Sequence, residues 1–144
     1  MKRRAANRRV GSIRGITPLL AAIQWGERGL VPAVIQDERT KQVLTLCYLN
    51  RAALTKSLAT GTVYVFRRSQ HRLMQKGETS GHIQVIRRVL VDCEGKSLVL
   101  IVRQRVAACH AGYFTCYFRQ LTPAGELKTM GAQAFDPAKV YKKA

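Results

Sequence analysis

Cys93, Cys109 and Cys116 follow the spacing C-x15-C-H-x5-C, with His110 directly after the second cysteine. Three thiolates fill three corners of a zinc tetrahedron and leave the fourth to water, which is the pattern of a catalytic rather than a structural zinc. A histidine beside a ligand cysteine places an acid/base group near that water. The first cysteine lies between two acids, in Asp92-Cys93-Glu94. Hydrolytic metal chemistry is what these residues point to. Cys47, inside the apolar run 43–48, reads instead as a small buried hydrophobe.

The elements that must hold these residues are strands with one helix between them. Residues 30–36 and 42–48 are apolar and β-branched and flank the polar turn 37–41, a hairpin signal. Asn50 is placed to N-cap a helix from Arg51 to about Thr60, with Gly61 as its stop and Leu54 and Leu58 on its core face. Residues 62–67 read as a strand, 69–81 as a polar loop, and 83–91 and 97–103 as two strands joined by a tight turn at 94–96. That turn puts Cys93 at a hairpin end. Residues 113–119 read as a further strand carrying Cys116, with Tyr113, Phe114, Tyr117 and Phe118 alternating between its faces. A short helix is expected at 19–23 and a capped turn or helix after Asp136-Pro137. Trp25 is expected to pack on the core. The sum is α+β, mainly antiparallel sheet with one clear helix.

At 144 residues, 47% of them apolar and 23% charged, the chain is one globular domain. Residues 1–18 form a basic, tail-like, flexible arm and 19–144 the domain. No apolar run is long enough for a membrane span or reads as a signal peptide. Four cysteines without secretory signals favour a reduced, cytoplasmic setting. The net charge of +17 is the feature that pulls toward polyanions. Lys2, Arg3, Arg4, Arg8, Arg9 and Arg14 lie in the arm, while Arg67, Arg68, Arg72, Lys76, Arg87 and Arg88 surround the single acid Glu78. This second group either cradles phosphates or forms a solvated strand face. His71 and His82 border the polar loop, and His71 reads as a surface residue.

Lys76-Gly77-Glu78-Thr79-Ser80-Gly81 reads by itself as a flexible loop, although its glycines let backbone amides approach a phosphate. Together with the cysteines it resembles phosphoribosyl-AMP cyclohydrolase of histidine biosynthesis. The resemblance runs from about Gly29 to Tyr141. It is carried by Gly29-Leu30-Val31-Pro32-Ala33, by Arg67-Arg68-Ser69-Gln70 and the 76–81 loop, by Asp92-Cys93-Glu94, by Ala108-Cys109-His110-Ala111-Gly112 with Cys116, and by Phe135-Asp136-Pro137. The resemblance implies hydrolysis of the N1–C6 bond of an adenine ring that bears a second phosphoribosyl group on N1. Alkylation leaves that ring electron-poor and C6 open to a metal-activated water. It also implies zinc on Cys93, Cys109 and Cys116, His110 as proton shuttle, and substrate contacts from Arg67, Ser69, Lys76, Glu78, Thr79 and Ser80. An intertwined homodimer is implied as well, with the site at the subunit interface and cysteines from both subunits.

The family's Asp-Cys-Asp-x-Asp run binds magnesium, and here it reads Asp92, Glu94 and Lys96. A protonated lysine is no ligand for a hard cation. Lys96 is therefore expected to replace part of the metal's charge, with a weaker magnesium dependence or lost activity. Two rival readings stay open: a non-catalytic binder of polyanions or nucleic acid on the same scaffold, and a zinc-stabilised structural dimer. The enzyme is expected to be monofunctional.

Overall fold

A computed structural model describes residues 15–77 and 80–141. Most of the basic arm, and Glu78 and Thr79, lie outside them. A four-stranded sheet in the order β2-β1-β6-β5 forms the centre. Its strands are β1 (Leu30–Asp37), β2 (Val43–Asn50), β5 (Gln84–Val91) and β6 (Leu98–Gln104). β3 (Tyr64–Arg67) pairs with β4 (Arg72–Gln75), and β7 (Arg119–Leu121) with β8 (Leu127–Thr129), as two small antiparallel ribbons. Among the described residues there are also three α-helices, α1 (Thr17–Ala22), α2 (Arg51–Thr60) and α3 (Pro137–Val140), and two short 3-10 turns. The α+β class with mainly antiparallel pairing is as expected from the sequence. The one parallel contact, β1 with β6, is not legible there. Among the described residues no helix is long and apolar enough to cross a membrane.

α2 forms where its signals lie. Asn50 accepts from the Ala53 amide at 2.8 Å, and Gly61 closes the helix in the left-handed conformation with its amide on the Ser57 carbonyl. Ala53, Leu54, Ser57 and Leu58 are its buried face. They pack on Val31, Ala33, Ile35, Leu49, Ile86, Leu98, Leu100 and Val102, the inward positions of the large sheet. Ser57 Oγ donates to the Ala53 carbonyl and accepts from the Tyr64 amide at 2.8 Å, tying the helix to β3. Trp25 packs against this core with the Arg51 guanidinium 5.2 Å from its ring centre.

Two assignments need correction. Residues 113–118 are not a strand; they form a loop whose bonds go to β2, to residues 108–109 and to Met130. The aromatic alternation there is a stack, Tyr113 on Phe118 at 3.9 Å with ring planes 8° apart, while Phe114 packs on the core. The segment 69–81 is not all loop, because β4 lies within it. Its four residues are half polar, and only pairing with β3 makes them a strand.

Among the described residues no helix covers the opposite, largely apolar face of the large sheet. Pairing register sets Leu46, Val34, Val99 and Leu90 in one row across all four strands, with Tyr48 beside Pro32 in the next. Leu46 and Leu90 are more than 40% exposed.

Candidate active site

The loop after β6 carries the second and third cysteines. The Cys109 amide donates to the Tyr113 carbonyl, and the Gly112 amide to the Cys109 carbonyl at 3.0 Å, closing a tight turn around His110 and Ala111. The return leg is tied to the edge of β2. Thr115 Oγ1 donates to the Val43 carbonyl at 2.6 Å and the Cys116 amide to the Leu44 carbonyl at 2.8 Å. This clasp brings the Cys109 and Cys116 thiols close enough to interact, with the Thr45 side chain also beside Cys116. Burial pushes the Cys116 thiol pKa up; Thr45 opposes the rise and Cys109 adds to it. Cys109 itself is buried.

Gly112 is the residue on which the turn depends. Its φ is +94°, and a Cβ there would run into the Phe135 carbonyl oxygen. That carbonyl belongs to the segment that crosses the turn, where the Ala134 amide donates to the Gly112 carbonyl at 2.6 Å. Gly112→Ala is expected to destabilise the fold by roughly 1–3 kcal/mol. It should also lower turnover more than that loss explains, read from denaturant melts alongside rates at a temperature where the variant is folded.

Beside the thiols lies a cavity of about 390 Å³. Arg67 from β3, Lys76, Ser80 and His82 from the segment after β4, and His110 and Cys116 from the clasp line it. Five of the residues singled out from sequence therefore meet here: Arg67, Lys76, Ser80, His110 and Cys116. Lys76 is held by its backbone, whose amide donates to the Val63 carbonyl at 2.8 Å. Ser80 Oγ accepts from the His82 amide at 3.2 Å. Ser69 is exposed in the short 3-10 turn Arg68–Gln70 and is not part of the cavity wall. Glu78 and Thr79 lie outside the described residues.

The basic cluster does not act as one face. Arg67 and Lys76 line the cavity, Arg68 sits 4.8 Å over the Tyr48 ring, and Arg87 pairs with Glu38 at 3.2 Å. Of the two readings open at the sequence level, the phosphate cradle suits Arg67 and Lys76 alone.

Cys93 is not with the other cysteines. It is exposed at the β5–β6 turn, and among the described residues no three His, Cys, Asp or Glu side chains are gathered as a metal group. The neighbouring acids are also engaged. Asp92 Oδ1 accepts from the Glu94 and Lys96 amides and Oδ2 from Ser97 Oγ at 2.6 Å. These bonds, that from Ser97 foremost, lower the Asp92 pKa. Glu94 pairs with Lys96 Nζ at 2.7 Å. Cys47 contacts the Ala33 carbonyl at 3.7 Å, and burial raises its thiol pKa to about 12, so it stays a neutral packing group.

Sequence reasoning left His71 and His82 together, and the structure separates them. His71 is exposed with its ring edge to Phe66, while His82 lines the cavity edge-on to Phe135 at 4.8 Å. It missed Gln84 and Tyr141, which also line the cavity. A signal for Gln84 exists: it shares the inward register with Ile86, where an apolar residue belongs.

The family model described as phosphoribosyl-AMP cyclohydrolase matches residues 45–118, from β2 through the cysteine clasp. A phosphoribosyl-AMP cyclohydrolase of Pelotomaculum thermopropionicum is 44% identical over 124 residues, covering 86% of this chain and 96% of that protein. One from Desulforapulum autotrophicum is 46% identical over 115 residues, covering 79% and 92%. The histidine biosynthesis bifunctional protein HisIE of Thermoanaerobacter pseudethanolicus is 41% identical over 86% of this chain, which spans 57% of that longer protein. The chain belongs to the phosphoribosyl-AMP cyclohydrolase family, hydrolases of histidine biosynthesis.

Proposed function

We propose that the chain hydrolyses the N1–C6 bond of phosphoribosyl-AMP as a zinc-dependent cytoplasmic homodimer. The observation that carries this reading is the Cys109–Cys116 thiol pair beside a cavity lined by His110, Arg67, Lys76 and Ser80. Two soft donors in mutual contact, half-buried and flanked by the Thr45 hydroxyl, suit zinc. Zinc, when bound, supplies Lewis-acid activation of a water at neutral pH. Arg67 and Lys76 then hold the two phosphates as charge-assisted donors, and Ser80 adds a hydroxyl. Glu78, Thr79 and Ser69 belong to the same substrate segment. His110 takes the proton from the attacking water and returns it to N1 as the C6–N1 bond breaks, leaving a carboxamide at the former C6.

Two thiols do not complete a catalytic zinc site, and Cys93 of the same chain is elsewhere. A second copy supplies it. The uncovered apolar face of the large sheet supports association, since a row of Leu46, Val34, Val99 and Leu90 is costly to leave in water.

The magnesium donors do not fit. Asp92 is consumed by its turn, and the Lys96 ammonium already neutralises Glu94. Zinc-loaded protein is therefore expected to turn over phosphoribosyl-AMP, followed by ultraviolet absorbance, at a rate that millimolar magnesium leaves unchanged. Lys96→Asp should gain magnesium affinity and a magnesium response. Absence of turnover by the zinc-loaded dimer would remove the catalytic reading and leave a zinc-bound scaffold. Magnesium stimulation of the wild type would remove the role given to Lys96.

A further inference from the structure

Gln84, which lines the cavity, carries a buried side-chain atom without a partner. The residue is 1% exposed, yet its side-chain carbonyl Oε1 has no hydrogen-bond partner. An unpaired buried carbonyl is unfavourable, and each one calls for a partner such as an ion, a water or a ligand. Its orientation is fixed by a relay. The Arg105 carbonyl can only accept, so Gln104 turns its Nε2 toward it, at 2.6 Å. Gln104 Oε1 then faces Gln84 and accepts from Gln84 Nε2, also at 2.6 Å. What remains of the Gln84 amide is the carbonyl. Gln84 and Gln104 are register partners on β5 and β6, so the sheet itself holds the relay.

We propose that Gln84 is the specificity residue for the six-amino group of the purine. Its Oε1 accepts a hydrogen bond from the exocyclic nitrogen on C6 when the ring seats between Gln84, His110 and Cys116. This inference rests on the cyclohydrolase reading and deepens it. The exocyclic nitrogen stays bonded to C6 throughout: water adds its oxygen to C6, N1 leaves with a proton, and the nitrogen ends as the carboxamide NH2. An acceptor fixed at this point therefore serves substrate and product alike. It also helps hold C6 against the Cys116 side of the cavity. A six-oxo purine would set two carbonyl oxygens against each other, a mismatch that sites built to pair a polar group reject strongly.

The test uses the full zinc-loaded chain with AMP and IMP as the probe pair, their dissociation constants measured by calorimetry. The wild type is expected to prefer AMP by about tenfold or more, the worth of one buried hydrogen bond and its mismatch. The double variant Gln84→Leu/Gln104→Leu, which leaves no amide of the relay orphaned, should lose that preference while its melting temperature holds or rises. Gln104→Leu alone frees the Gln84 amide to turn, and the preference should shift toward IMP. A purely structural Gln84 would instead lower the melting temperature and leave the AMP/IMP ratio alone. Equal binding of AMP and IMP by the wild type, no binding of AMP, or a preference surviving in the double variant each overturns the proposal. Turnover of phosphoribosyl-AMP measured on the same wild-type sample separates this failure from that of the parent reading. An active enzyme indifferent to the six-position group sinks only the role of Gln84.

Discussion

Cys109→Ala is expected to lower turnover of phosphoribosyl-AMP by on the order of a thousandfold or more, because a metal site that loses one of three protein ligands loses both affinity and geometry. The thiol is 5% exposed and contacts Cys116, so its removal also leaves a small void. A void of that size costs about 1 kcal/mol, too little to unfold a domain with this core. The loss should therefore appear with bound zinc falling in proportion and with the metal-free variant melting close to the metal-free wild type. His110→Asn supplies the contrast. It leaves both thiols in place, so zinc content should hold while the rate falls by roughly 10²–10⁴, the usual contribution of one positioned acid/base group. A Cys109→Ala protein that keeps its zinc and its rate would refute the ligand assignment. A His110→Asn protein that loses zinc would make the histidine a ligand rather than a proton shuttle.

Local signals carried the reading of the fold as far as local physics reaches. The helix at 51–60 was legible because its cap, its stop and its two leucines all lie between Asn50 and Gly61 and need no partner outside that stretch. The hairpin of β1 and β2 was legible for the same reason. The parallel pairing of β1 with β6 was not, since it joins Ala33 to Leu98 and no local pattern encodes a partner so distant. The stretch 113–118 misled because alternating aromatics mimic a strand. Its ties to β2 are instead the Thr115 hydroxyl on the Val43 carbonyl and the Cys116 amide on the Leu44 carbonyl, which bring Cys116 back toward Cys109. Around the cavity, Cys109, Cys116 and His110 stood out by type and spacing and Arg67, Lys76 and Ser80 only through the resemblance, while the sole signal for Gln84 is a polar residue at an inward strand position. The resemblance implied cysteines from both subunits but not which one stands apart, and spacing could not single out Cys93.

That separation leads to the second large effect. Cys93→Ala and Cys109→Ala, each purified alone, are expected to be nearly inactive, since every site in either homodimer lacks one thiol. Mixed, unfolded and refolded together, they should recover about a quarter of wild-type activity. The arithmetic follows from two-fold symmetry. Half of the dimers are mixed, and in each mixed dimer one site receives Cys93 from the Cys109→Ala protomer and Cys109 and Cys116 from the Cys93→Ala protomer. Its other site lacks both. If the three thiols came from a single chain, no mixing could assemble a complete set and the recovered rate would stay at the background of the single variants. The same experiment ties catalysis to the apolar face. Val34→Glu places a charge in the middle of the Leu46–Val34–Val99–Leu90 row, where burial of an unpaired carboxylate is strongly unfavourable. If that face joins the subunits, Val34→Glu protein should elute as a folded monomer, retain the Cys109–Cys116 pair and hydrolyse nothing. Monomeric protein that still turned over substrate would require Cys93 to reach its own chain's thiols, which the β5–β6 turn does not do in this structure.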